Sequence, residues 1–144
     1  MSSTTRTAST GRVSHRILWG VQILIGLFLV IGSAMPKFFG EAYAVDIFTR
    51  IGAGQWFRYL VGVLELAGGI GLLTPWLAAP AALGLMGLMI GAAFTQAVVL
   101  DAPAMVLTPA ILFVLLAAVA WGRREQFAQV LEIAAKPLSR NVVA

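Results

Sequence analysis

Hydrophobic residues along this chain gather into four long runs separated by short polar segments. The runs cover residues 17–35, 56–73, 78–100 and 105–121. At 1.5 Å of rise per residue, helices of these lengths span roughly 25 to 35 Å, close to the ~30 Å thickness of a bilayer's hydrocarbon core. The pattern therefore predicts four membrane-spanning helices.

The connections between the runs indicate how the helices are arranged. Residues 74–76 (Thr-Pro-Trp) and 101–103 (Asp-Ala-Pro) form short turns, and proline ends a helix. Short turns make successive helices antiparallel neighbours, so we predict an all-α, integral membrane, up-down four-helix bundle. The longer segment 36–55 carries aromatic residues and both signs of charge. It predicts an interfacial loop with a short amphipathic helix over 42–51.

The chain ends differ in character from the four runs. We predict a disordered basic tail over residues 1–16, a transmembrane domain over 17–121, and a cytoplasmic tail over 122–144 that begins as an amphipathic helix. A cleavable signal peptide is an alternative interpretation of the first run. Its length and the three spans that follow favour a retained helix.

Composition and charge placement agree with a membrane protein. Of the 144 residues, 60% are hydrophobic and only 11% are charged, about half the charged fraction of a soluble domain. The net charge of +4 comes from basic residues that flank the hydrophobic runs, which is not the pattern of a nucleic-acid-binding face. The positive-inside rule predicts that both termini lie in the cytoplasm. The residues behind this prediction are Arg6, Arg12, Arg16, Arg123, Arg124, Lys136 and Arg140.

Several kinds of chemistry are excluded within the chain. It has no cysteine and one histidine, His15, so it cannot form a disulfide, a thiolate site or a bis-histidine haem site by itself. It also lacks a phosphate-binding glycine loop, an HExxH motif and a nucleophile elbow. We therefore expect a protein that holds no cofactor through motifs of its own and that is not an enzyme on its own.

The most informative polar residue is Glu65, which lies inside the second run. A carboxylate at the centre of a membrane costs on the order of 3 kcal/mol unless it is paired, hydrated or protonated. Lys37, Arg58, Thr95 and Gln96 all belong to the same half of the predicted bundle as Glu65. We predict that these five residues form a polar pocket suited to an anion, a carbonyl or a quinone head group.

Two other interpretations of Glu65 remain open. It could form a structural ion pair with Lys37 or Arg58 that holds two helices in register, or it could carry protons. Gln22 and Ser33 are interpreted as helix–helix hydrogen-bonding groups. The glycines of the spans are interpreted as close-packing positions within one protomer, with a dimer interface as the alternative.

The chain resembles the DoxX and DoxX-like families of four-span bacterial membrane proteins. The resemblance rests on GLFLVIGSAMPKFFG (residues 26–40), which contains Lys37, and on GVLELAGG (residues 62–69), which contains Glu65. It covers residues 17–121. Relatives often carry a Thr-His pair in the third span, whereas this chain has Thr95 and Gln96, so a role that needs a titrating histidine does not carry over.

The resemblance implies a function as well as a fold. Founding members are associated with a thiosulfate:quinone oxidoreductase, and others with membrane redox or oxidative-stress complexes. It therefore implies a non-catalytic subunit or a quinone- or lipid-binding module in the bacterial cytoplasmic (inner) membrane, with redox-complex proteins or a second copy as partners. The alternatives are a small proton-coupled transporter and a structural scaffold protein.

Overall fold

The computed structural model describes the backbone of residues 5–142 and the side chains of residues 11–136. The described part is helical and contains no strand. Its α-helices are α1 (Thr5–Leu27), α2 (Met35–Phe39), α3 (Ala42–Ile51), α4 (Gln55–Leu73), α5 (Ala78–Phe94), α6 (Leu107–Gly122) and α7 (Arg124–Val142). π-helical segments occupy Phe28–Ala34 and Thr95–Val99, and a 3-10 turn occupies Pro103–Val106.

Within the described residues, four helical stretches are long and apolar enough to cross a membrane. They are Gly11–Phe39, Gln55–Leu73, Ala78–Val99 and Pro103–Gly122. The predicted all-α class and the predicted number of spans are therefore confirmed. The first stretch is longer than expected, because α1 begins before residue 17 and α2 continues the helix beyond residue 35. The short helix predicted over 42–51 is present as α3.

The N-terminal segment differs from its prediction. Residues 5–16, expected to be part of a disordered tail, form the first turns of α1. The physical reason is that extending a helix by one residue is much easier than nucleating one, so the apolar run propagates its helix into the polar segment. Residues 1–4 lie outside the described residues. At the other end, α7 extends as one helix to Val142 and packs against α5 and α6.

The four spans form a closed bundle. α1 contacts α4 and α6, α4 contacts α5, and α5 contacts α6, so the ring order is α1, α4, α5, α6. The interior is mostly apolar, apart from the buried Gln22, Arg58, Glu65 and Arg123. Much of the outer surface is apolar too, as expected of a bundle surrounded by lipid. The buried core consists of Ile25, Leu29, Leu72, Ala82, Leu85, Met89, Leu116 and Val119.

Close contact between α1 and α4 depends on glycine. A Cβ atom on Gly69 would lie 2.8 Å from Val30 Cγ2 and 3.1 Å from the Gly26 carbonyl oxygen. The two backbones can therefore approach only while residue 69 has no side chain. This approach brings the end of the first span beside the middle of α4, where Glu65 lies.

The glycines of α5 behave differently from the prediction. A Cβ atom on Gly84, Gly87 or Gly91 would meet nothing within 4 Å, so these glycines are not close-packing positions within the described protomer. They lie on an open face of α5 because the packed face of that helix carries Ala82, Leu85 and Met89 instead.

Candidate functional site

The centre of the site is an ion pair inside the bundle. The Lys37 ammonium lies 2.8 Å from Glu65 Oε2, and the two side chains are 16% and 7% exposed. Lys37 comes from α2, at the end of the first span, and Glu65 from the middle of α4. The sequence leaves open whether Lys37 or Arg58 pairs with Glu65, and in the structure the partner is Lys37.

Ser33 joins the two charges into one cluster. Its hydroxyl donates to Glu65 Oε1 at 2.9 Å. Lys37 Nζ donates to the Ser33 hydroxyl at 3.0 Å and to the Ser33 carbonyl at 3.1 Å. Ser33 was interpreted from sequence only as a helix–helix hydrogen-bonding group. The available signal was its position four residues before Lys37, which puts both on one helix face.

Arg58 does not join this cluster, although it was predicted to line the pocket. Its guanidinium donates to the backbone carbonyl of Lys37 and lies 4.5 Å from the centre of the Tyr59 ring. A cation at the carboxyl end of a short helix satisfies a free carbonyl and is favoured by the helix dipole. Arg58 thus lies behind Lys37 and supports the end of α2.

A glycine makes room for this arrangement. Gly40 ends α2 in a left-handed conformation, with φ of 70°. A Cβ atom there would lie 3.3 Å from Arg58 Nη1, so a side chain would both strain the backbone and crowd the guanidinium. The turn therefore depends on glycine for two separate reasons.

The cluster opens into a cavity of about 510 Å³, within the size range of small-molecule sites. Lys37, Glu65, Thr95 and Gln96 all line it, so four of the five predicted residues meet there and Arg58 does not. The other polar side chains on its wall are Ser33, Glu41, Tyr43 and Thr108. Most of the remaining wall is apolar or aromatic, including Phe28, Leu29, Ile47, Phe48, Phe57, Leu88, Met89 and Leu112.

Thr95 and Gln96 come from the π-helical segment that follows α5. The Thr95 hydroxyl donates to the Gly91 carbonyl at 2.8 Å, so its hydrogen is already used. Among the described residues, no hydrogen bond engages the Gln96 side-chain amide. Gln96 can therefore offer both a donor and an acceptor to a ligand in the cavity.

Helix α3 covers one side of the cavity. Ile47, Phe48 and Ile51 line it, and Phe48 packs edge-on against Phe57 with ring centres 5.8 Å apart. Arg50 ties α3 to the end of the third span by donating to the Leu100 carbonyl at 3.0 Å. The interfacial loop predicted from sequence thus forms part of the site.

A second buried polar cluster lies at the opposite end of the bundle. Gln22 donates to the Leu72 carbonyl at 2.7 Å and accepts from Arg123 Nε at 2.8 Å. Arg123 also lies 3.3 Å from His15 Nδ1 and over the Trp19 ring. Burial lowers the pKa of Arg123 through desolvation. This cluster joins α1, the end of α4 and the end of α6, as predicted for Gln22.

The chemistry available at the Lys37–Glu65 site is recognition by hydrogen bonds and charge. An ammonium, a hydroxyl, a carboxylate and a free amide can bind a carbonyl, a hydroxyl or an oxyanion. Within the described residues, no group of three His, Asp or Glu side chains is placed to hold a metal ion.

Comparison with known proteins identifies the family. No curated protein and no solved structure matches this chain. The sequence model of the DoxX-like family matches residues 20–119. That stretch contains both members of the ion pair, and also Ser33, Arg58, Thr95 and Gln96. The chain therefore belongs to the DoxX-like family.

Proposed function

We propose that this protein is a non-catalytic, ligand-binding subunit of a membrane redox or oxidative-stress complex in the bacterial inner membrane. Its ligand would be a quinone or a lipid, with the polar head group bound at the Lys37–Glu65 pair. The observation that carries the proposal is a buried ion pair that opens into a cavity of about 510 Å³ with largely apolar walls. Most of that volume is unnecessary for an ion pair that only joins two helices.

The hydrogen bonds of the pair suggest how a head group would bind. Two of the contacts made by the Lys37 ammonium go to Ser33, one to its hydroxyl and one to its carbonyl. A ligand carbonyl could replace the Ser33 carbonyl as acceptor without loss of the Glu65 contact. A second oxygen could accept from the Gln96 amide across the cavity.

The distribution of polar groups favours binding over proton-coupled transport. A transporter would need Glu65 to be reached from both sides of the membrane. In the structure, Ile25, Leu29 and Leu72 lie buried between the Lys37–Glu65 cluster and the Gln22–Arg123 cluster. The apolar layer offers no polar route between them, which supports a ligand site open to one half of the bundle.

The experiment that tests the head-group site measures binding of menadione, a quinone ring without a prenyl tail, to the protein in lipid nanodiscs. Glu65→Gln removes the charge that positions Lys37, so we expect affinity to fall roughly tenfold or more. Asp46→Asn is the matched control, because it removes an exposed carboxylate of α3 that does not line the cavity. Equal affinity in the parent and in Glu65→Gln, or no saturable binding, would contradict the proposal.

The proposed place in a complex has its own test. The tagged protein, purified from its native membrane in a mild detergent, should bring down an oxidoreductase in a stoichiometric amount. If chemical cross-linking recovers the protein alone, or only with copies of itself, the subunit role would be contradicted. The ligand site would still be tested separately by the menadione binding experiment.

A further inference from the structure

A second cavity lies between α4 and α5, on the outer side of the bundle. Its volume is about 540 Å³, and its wall contains only apolar side chains and glycine. Leu64, Gly84 and Gly87 on its wall are exposed, so the groove faces the lipid. The lining residues are Leu64, Ala67, Gly68, Ala81, Gly84, Leu85, Gly87 and Leu88.

The groove and the charged cavity meet on α5. Gly87 and Leu88 line both of them. At Gly87 and Gly84 a Cβ atom would meet nothing within 4 Å, so the absence of side chains leaves this part of the helix surface open. The neighbouring glycine of α4 is different, because a Cβ atom on Gly68 would lie 2.5 Å from Leu85 Cδ2. Two of the open glycines of α5, Gly84 and Gly87, therefore line the groove, whereas Gly91 lines only the charged cavity.

We propose that the ligand of the Lys37–Glu65 site is an amphiphile whose apolar tail leaves the charged cavity beside Gly87 and lies in the groove between α4 and α5. This inference rests on the proposed function and adds the binding site and the route of the ligand's tail. A compact, water-soluble solute would use only the charged cavity and would leave the groove to lipid.

The dimensions fit this class of ligand. From Gln96, at the charged cavity, to Gly87 the rise along the helix is about 13 Å, and from Gly87 to Ala81 it is about 9 Å more. A head group at Gln96 and a tail at Ala81 would thus be separated by roughly 20 Å within the membrane. The groove covers the part of this path from Ala81 to Leu88 and has no polar side chain on its wall, as a hydrocarbon tail requires.

The tail should contribute only modestly to the binding free energy, and it should do so through packing. A prenyl chain that moves from lipid into an apolar groove gains no hydrophobic free energy, since lipid tails are equally apolar. The gain comes from packing alone. A side chain that fills the groove should therefore weaken the binding of ligands with a tail and leave the binding of tailless ligands unchanged. In the parent protein, a longer tail should raise the affinity only slightly.

The test compares menaquinone-4 with menadione in nanodiscs, with affinities expressed per mole of lipid. Gly84→Leu fills the groove without altering the charged cavity, because Gly84 lines only the groove. Gly20→Leu is the matched control, since Gly20 lies on α1 away from both cavities and also has nothing within 4 Å of its Cβ position. We expect Gly84→Leu to weaken menaquinone-4 binding about fivefold or more and to leave menadione unchanged. Gly20→Leu should change neither.

The outcomes separate this inference from the proposed function. Unchanged menaquinone-4 binding in both Gly84→Leu and Gly87→Leu, with menadione still bound, would overturn the tail route and leave the head-group site intact. An equal loss of both probes in Gly84→Leu would also overturn it, because the groove would then matter without the tail. Failure of menadione to bind the parent protein would instead count against the proposed function.

Discussion

At the scale of single residues, the site depends on three side chains that satisfy one another. Lys37, Glu65 and Ser33 place two charges and one hydroxyl in contact inside an apolar bundle. Removal of one member of a buried pair leaves the other charge uncompensated, which costs far more than the intact pair contributes. We therefore expect a large loss of stability when either residue is replaced alone, and a much smaller loss when both are replaced together.

Lys37→Met and Glu65→Gln should each lower the free energy of unfolding by about 3 kcal/mol, since each leaves a buried charge without its partner. The double variant should lose much less than the sum of the two single losses, because no unpaired charge remains. Unfolding by SDS titration of the protein in mixed micelles measures all three. Additive losses would mean that the two side chains do not interact in the membrane.

Ser33→Ala should lower the free energy of unfolding by about 1 kcal/mol, because the Glu65 carboxylate loses a hydrogen bond. Menadione affinity should fall as well, since the Lys37 ammonium then has fewer restraints on its position. Ser14→Ala on an exposed turn of α1 is the control and should change neither quantity. Unaltered binding in Ser33→Ala would show that the hydroxyl only joins the helices.

At the scale of helices, the two π-helical segments contribute three of the polar residues of the cavity. Ser33 lies in the segment Phe28–Ala34, and Thr95 and Gln96 lie in Thr95–Val99. A π-turn changes the direction in which the following side chains point, and such turns are frequent at functional sites. Here one such segment lies in the first span and the other follows α5, and both contribute residues to the cavity wall.

The helical elements also set the limit of what the sequence could predict. Four hydrophobic runs and two intramembrane charges were enough to predict four spans, the short helix α3 and a site at Lys37 and Glu65. The site role of Ser33 was missed because it depends on a π-turn, which has no strong sequence pattern. The position of Arg58 depends on where α2 ends. The sequence does not show that Gly84 and Gly87 lie on an open face. Because α5 is apolar on every side, its hydrophobic pattern does not indicate which side packs against the other helices.

The difference between packed and open glycines gives a prediction for α4 and α5. Gly69→Ala should lower the free energy of unfolding by about 1–3 kcal/mol, because the new methyl group meets Val30 and the backbone of α1. Gly84→Ala should be neutral or raise it by up to about 1 kcal/mol, since alanine favours the helix and has room there. Equal effects of the two substitutions, measured by the same SDS titration, would contradict the packing of α1 on α4.

At the scale of the whole molecule, the two ends of the bundle differ in charge. Arg12, Arg16, Arg123 and Arg124 lie at the end that carries both termini, and the charged cavity lies toward the other end. We expect the terminal end to face the cytoplasm, because basic flanks are retained on that side. The head-group site would then lie in the outer half of the membrane.

The absence of cysteine makes this orientation simple to test. Ala53→Cys, in the exposed loop before α4, should react with a membrane-impermeant maleimide in intact cells. Ala135→Cys, on the exposed part of α7, should react only after the cells are permeabilised. The reverse labelling pattern would place the termini outside and the head-group site in the cytoplasmic half.

The most direct test of the central claim is an experimental structure of the protein in nanodiscs with menaquinone-4. We expect density for the quinone ring within hydrogen-bonding distance of Lys37 Nζ and of the Gln96 amide. We also expect the tail to extend past Gly87 toward Gly84. A closed or lipid-filled cavity, with the Lys37–Glu65 pair intact and the quinone ring bound elsewhere or absent, would contradict the proposed ligand site.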